Sequence, residues 1–136
     1  MNKLFVIEIV KSDNYEGIVK FSNSRGNSIY ANFWGQDFEI GKSYMVEFSH
    51  LEYSLRWEEV FSENINKQCK IDQAENQTAY NCYGIIESIN PTVADFGDLK
   101  LSIGELSNDQ KIVDEFIYWK IFRLDVFQIL ELNDLH

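Results

Sequence analysis

The sequence predicts an all-β domain, or a mainly β one with a single short helix, built as an antiparallel barrel or sandwich. Three observations carry this. Aromatic and β-branched residues gather in short runs separated by turn-formers. Several of those runs alternate apolar and polar residues with a period of two. No regular succession of helices separates them, as a parallel sheet would require. The 136 residues suit one domain over residues 1–136, long enough to bury roughly two-thirds of the unfolded chain's surface. At 45% hydrophobic and 15% aromatic, the composition is that of a folding chain.

The elements follow in order. Residues 4–10 (LFVIEIV) read as a strand: Glu8 interrupts the run, which is short for a signal-peptide core and is followed by no small-residue cleavage site. Strands at 17–21 and 28–34 flank the turn-forming Asn23-Ser24-Arg25-Gly26-Asn27. In the second of them Ile29, Ala31 and Phe33 alternate with Ser28, Tyr30 and Asn32. A strand at 43–53 sets Tyr44, Val46 and Phe48 against Met45 and Glu47. From Ser54 the period of two is lost. Leu55, Glu58, Glu59, Phe61 and Ser62 suit a short helix, and residues 64–78 form a polar connection. Strands resume at 80–89 and 99–103. The final run, 116–132, is long enough for a helix, yet Phe116, Ile117, Tyr118, Trp119, Ile121, Phe122, Val126 and Phe127 favour a strand, with a helical tail expected after Gln128. Alternation slips once in each long strand, between Phe48 and Leu51 and between Ile121 and Leu124, predicting bulges near Ser49 and Phe122. Gly26, Gly35, Gly41 and Gly97 read as turn residues.

A weak internal repeat suggests two similar half-repeats. Gly17-Ile18-Val19-Lys20 resembles Gly84-Ile85-Ile86-Glu87, and residues 44–53 (YMVEFSHLEY) resemble 117–126 (IYWKIFRLDV). The matches are short and their spacings differ.

Catalytic chemistry finds little purchase. Apart from the terminal His136, His50 is the only histidine, so a nucleophile-base pair has one candidate base, in a strand where an ordinary histidine is the simpler account. Cys69 and Cys82 are the only cysteines. They read as free thiols in a reducing compartment, and with His50 they lack the close pairing of a zinc site. The seven glycines make neither a dinucleotide fingerprint nor a phosphate-binding loop. The expectation is therefore no enzyme, no metal, no cofactor and a cytoplasmic binding protein. No apolar stretch reaches the roughly 18 residues of a membrane span.

The net charge is −10, which opposes approach to nucleic acid phosphates or anionic lipid and favours a cationic partner. The acidity sits in two stretches, each with seven acids against two bases, at residues 37–63 and 87–115. The candidate partner-binding residues are Asp37, Glu39, Glu52, Glu58, Glu59, Glu63 and Trp57 in the first, and Asp95, Asp98, Glu105, Asp109, Asp114 and Glu115 in the second. Trp34 and Tyr53 lie in or beside the first stretch. Aromatics ringed by acids are the makeup of an interface centre and rim, although core packing of Trp34 and Tyr53, with the acids as a solvated face, is the simpler account of any single residue.

In size, acidic blocks and lack of an active site, the chain resembles the small acidic immunity proteins that bacteria make against toxins, many of them basic nucleases. No motif carries the resemblance. It implies a cytoplasmic inhibitor that occludes the active or substrate-binding surface of a basic toxin domain. The competing expectation is a small β-barrel ligand-binding or oligonucleotide-type module, with Lys3, Lys11, Lys20 and Arg25 as the local source of positive charge. Convergence of the acidic blocks on one face would favour the inhibitor. An apolar cavity lined by Tyr and Trp would favour the ligand binder.

Overall fold

The computed structural model describes residues 2–11, 13, 15–52 and 55–131. Among them lie nine strands and one α-helix: β1 (Asn2–Lys11), β2 (Glu16–Ser22), β3 (Ser28–Trp34), β4 (Ser43–Glu52), α1 (Trp57–Ser62), β5 (Lys70–Gln73), β6 (Tyr80–Ser88), β7 (Val93–Asp95), β8 (Lys100–Ser102) and β9 (Phe116–Glu131). The fold is mainly β and contains a closed five-stranded barrel. The chain divides into two compact units, Met1–His50 with Arg123–His136, and Leu51–Phe122.

The first unit holds the barrel. β1, β2 and β3 form an antiparallel meander, and β4 pairs with β1. β9 neighbours β4, and its Asp125 pairs with Asn32 of β3 in parallel, closing the ring in the order β3-β2-β1-β4-β9. The β2–β3 turn forms where expected. Asn23 Oδ1 accepts the backbone N–H of Arg25 and of Asn27, giving the chain a local partner where the ladder ends. Alternation on β2 and β3 sends Val19, Phe21, Ile29, Ala31 and Phe33 inward. They meet Leu4, Val6, Tyr44, Val46, Phe48, Leu124 and Val126, all buried. Phe38, from the β3–β4 connection, stands edge-on to three rings: Phe21 at 5.6 Å, Phe33 at 5.5 Å and Tyr44 at 5.2 Å between centroids.

The second unit is a sheet with α1 beside it in sequence. β6, β7 and β8 form a meander, the first part of β9 pairs with one edge of β6, and β5 shares the other edge with β7. Its buried residues include Val60 of α1, Ile86, Phe96, Leu101, Ile117, Trp119 and Ile121.

Strands β3, β6 and β8 lie within a residue of their expected bounds. β5 arises inside the stretch read as a polar connection and β7 between the expected strands at 80–89 and 99–103, because strands of four and three residues leave no period to detect. The helical tail is overturned for residues 129–131, since β9 continues to Glu131; residues 132–136 lie outside the described residues. Of the two expected bulges, the slip near Phe122 is real as a change of buried parity. Ile117, Trp119 and Ile121 are buried, then Leu124 and Val126, where β9 passes from one unit's segment to the other's. In β4, by contrast, Tyr44, Val46 and Phe48 alternate cleanly and Leu51 is exposed, so no bulge near Ser49 is required to bury it. The four glycines read as turn residues all adopt left-handed φ, between 80° and 90°.

The half-repeat is corrected in detail. Each unit contains a three-strand meander whose first strand also carries the fourth strand, β3-β2-β1-β4 and β8-β7-β6-β9. Residues 44–52 and 117–126 thus fall on matching strands, β4 and β9. Residues 17–20 and 84–87 do not, because β6 corresponds to β1 and not to β2. Their likeness has a packing cause. A Cβ on Gly17 would lie 2.2 Å from the Val10 carbonyl oxygen and one on Gly84 2.3 Å from that of Asp95, so both strands need glycine to let a neighbouring backbone approach.

Among the described residues, no helix is long and apolar enough to cross a membrane.

Candidate functional site

A concavity lies in the barrel unit. It is an open cleft of about 570 Å³ at the end where β1 runs into β2 and where β3 meets β9. Val10 and Lys11 come from β1, Glu16, Gly17 and Ile18 from β2, Asn32, Phe33 and Trp34 from β3, and Arg123, Asp125 and Val126 from β9. Strand alternation places Ile18, Asn32 and Trp34 on the outer side of the wall whose inner side carries Val19, Ala31 and Phe33. Tyr30 shares that outer side, with the Lys20 ammonium 5.3 Å from its ring centre.

Trp34 dominates the cleft because 73% of its surface is exposed, an unusual condition for the largest apolar side chain. Its backbone is nevertheless tightly held. The Trp34 N–H donates to Gln36 Oε1 at 2.8 Å, and Gln36 Nε2 donates to the Val126 carbonyl at 3.2 Å. The adjacent Gly35, at φ 80°, donates its N–H to the Tyr15 carbonyl at 2.6 Å. Tyr15 in turn belongs to a turn organised by Asp13, whose Oδ1 accepts the N–H of Tyr15 and of Glu16 at 2.7 and 3.0 Å. An exposed indole on a braced backbone is preorganised for contact, since little order remains to be imposed on binding.

The polar lining is balanced in charge. Arg123 Nε lies 2.9 and 3.1 Å from the two carboxylate oxygens of Asp125, on neighbouring outward positions of β9. Lys11 and Glu16 add one charge of each sign, and Asn32 adds an amide. Comparison with protein-family models, curated proteins and solved structures returns no match to this chain. The site is therefore read from its own chemistry.

The sequence-predicted partner residues lie elsewhere. Asp37 and Glu39 belong to the barrel unit, whereas Glu52, Trp57, Glu58, Glu59, Glu63, Asp95, Asp98, Glu105, Asp109, Asp114 and Glu115 belong to the second. The first acidic stretch is thus divided between the units. The second unit carries 13 acids against 6 bases, net −7, and the barrel unit 9 against 6, net −3. Several of these acids have local duties. Asp95 Oδ1 accepts the Gly97 N–H and Asp109 Oδ1 that of Lys111, while Glu39 pairs with Lys42 and Glu59 with Arg56. Such exposed pairs contribute little stability. Trp57 is half exposed and rests against Phe61 at 4.7 Å. Trp34 is not core; Tyr53 lies outside the described residues.

No group of three or more His, Cys, Asp or Glu side chains among the described residues is placed to hold a metal ion. Cys69 and Cys82 are free thiols. Burial, reinforced by Asp72, pushes the Cys82 thiol well above its usual range, so it stays protonated and unreactive as a packing residue.

Of the cleft residues, the sequence pointed to Trp34 through its aromatic character and to Lys11 through local charge. Lys3 and Arg25 do not line it. Asn32, Arg123 and Asp125 were missed, because only the parallel closure of the barrel brings residues so distant in sequence together.

Proposed function

We propose that this chain is a non-catalytic binding module that works through the cleft beside Trp34. The observation that carries this is a braced but exposed indole in a concave, mixed polar and apolar lining. Five-stranded barrels of the oligonucleotide- and oligosaccharide-binding kind use the outer face of their second and third strands. The cleft occupies one end of that face here, bounded by the β1–β2 turn. A thermal-shift screen against neutral oligosaccharides, single-stranded oligonucleotides and nucleotides is expected to yield a ligand that raises the wild-type midpoint and leaves Trp34→Ala unmoved. Trp34 is exposed, so its loss leaves the fold intact. Equal shifts in both proteins would place binding elsewhere and overturn the assignment.

A second reading, the immunity-type inhibitor in a bacterial cytoplasm, is favoured by the concentration of net charge −7 in the second unit. There Glu58, Glu59 and Glu63 of α1 and its C-terminal end would meet a basic toxin domain. Reversing all three to Lys is expected to slow association with a cationic nuclease domain encoded beside this gene by about tenfold or more at low salt, with the difference shrinking as salt rises. Surface plasmon resonance over a salt series measures this, and an association rate indifferent to the reversals removes this reading.

A further inference from the structure

We infer that the cleft recognises a neutral oligosaccharide, with a sugar ring stacked on Trp34 and its hydroxyls read by Asn32, Arg123 and Asp125. The inference rests on the cleft being the working surface and names the ligand class that its chemistry admits.

Three ligand chemistries can be weighed against the lining. A polyanion such as single-stranded nucleic acid needs unopposed cations along its phosphates. Here Asp125 holds the Arg123 guanidinium at 2.9 Å, Glu16 stands in the same wall as Lys11, and the whole chain carries −10. A phosphate would meet a guanidinium already partly neutralised by Asp125 and would lie close to the Glu16 carboxylate. A purely apolar ligand would take the Arg123–Asp125 ion pair out of water without replacing its hydration, and desolvating charges is costly even when they are paired.

A neutral sugar meets both constraints. Each hydroxyl both donates and accepts, so neighbouring hydroxyls can bridge a carboxylate and a guanidinium without disturbing their ion pair. The C–H face of a pyranose is apolar and flat enough to lie on an indole, and Trp34 offers that surface with 73% of its area open. Ile18, only partly buried, adds apolar surface to the lining. An open cleft on a sheet wall also suits a chain that enters and leaves at both ends.

The test uses the intact protein and four neutral probes, cellohexaose, xylohexaose, maltohexaose and chitohexaose, with a deoxythymidine oligonucleotide as the competing class. Titrations follow tryptophan emission and are repeated by calorimetry. At least one glycan is expected to shift the emission with an affinity little changed between low and high salt, since no counterions are released. Trp34→Ala should weaken that glycan at least about tenfold, as loss of a central aromatic anchor does, while Trp57→Ala, in the second unit, should leave it unchanged. Arg123→Ala and Asp125→Ala should each weaken it, with circular dichroism unaltered. Failure of all four glycans to bind overturns the inference. Trp34-dependent, salt-sensitive binding of the oligonucleotide in their place also overturns it while leaving the cleft as the working surface. Glycan binding that Trp34→Ala does not affect overturns both.

Discussion

Replacing Phe38 by Ala is expected to lower the unfolding free energy by about 3–5 kcal/mol, the usual range for truncating a buried Phe. Phe38 belongs to no strand, and a residue in a connection between β3 and β4 would ordinarily tolerate change. Its surroundings say otherwise. It is 6% exposed and stands perpendicular to Phe21, Phe33 and Tyr44. Each edge-to-face pair adds about 0.5–1.5 kcal/mol beyond area burial, and the three share one ring, so Phe38→Ala removes them together. The Tyr44 hydroxyl also accepts the Glu39 N–H at 2.9 Å, tying the chain just after Phe38 to β4. Phe38→Leu keeps most of the volume and should cost clearly less. Urea unfolding by far-ultraviolet circular dichroism measures the loss, and hydrogen exchange should show it in β2 and β4. A loss under about 1 kcal/mol would mean that the ring is not a keystone of the barrel.

Phe38 also marks where the sequence is legible and where it is not. Alternation in β3 correctly separated Ile29, Ala31 and Phe33 from Tyr30 and Asn32, because a half-buried strand forces a period of two. Nothing of that kind applies to a lone Phe between Gly35 and Gly41, whose burial depends on strands that arrive from other parts of the chain. The long final run was read correctly as a strand from its β-branched and aromatic content, and its parity slip marked the place where the buried side changes. The apparent slip in β4 has no structural counterpart, because Leu51 is exposed. A single exposed Leu is ordinary.

The site was harder to read for a related reason. Charge is additive along a sequence, so the acidic stretches stood out, yet their grouping in space is set by topology, and the first of them is split between two units. The cleft depends on the single parallel pairing of Asn32 with Asp125. Parallel closure joins residues far apart in the chain with no turn between them to announce it. Trp34 was visible as an aromatic beside acids, but only the barrel decides that it faces outward.

Asn64→Leu is expected to destabilise the second unit by about 2–4 kcal/mol, because several buried groups lose their partners at once. Asn64 is 7% exposed. Its Nδ2 donates to the carbonyls of Gln68 at 2.9 Å, Ile117 at 3.1 Å and, more weakly, Gly84 at 3.4 Å, while its Oδ1 accepts the Gln68 N–H at 2.8 Å. One amide thus closes its own turn and fastens it to β6 and β9. Leu has a similar size, so its cost reports lost hydrogen bonds more than lost volume. Asn64→Asp separates the two further. The introduced carboxylate keeps the shape but cannot donate to the carbonyls of Ile117 and Gly84, so at neutral pH it should destabilise at least as much as Leu. Carbonyls and burial both disfavour its charged form, which raises its folded pKa above the unfolded value of about 3.9. The penalty relative to wild type should therefore shrink as pH falls through that raised pKa, as protonation restores a donor. Trp119 is the one buried tryptophan among three, so the red shift of its emission on unfolding follows this unit. A negligible penalty for Asn64→Asp at neutral pH would show that Asn64 acts through shape alone.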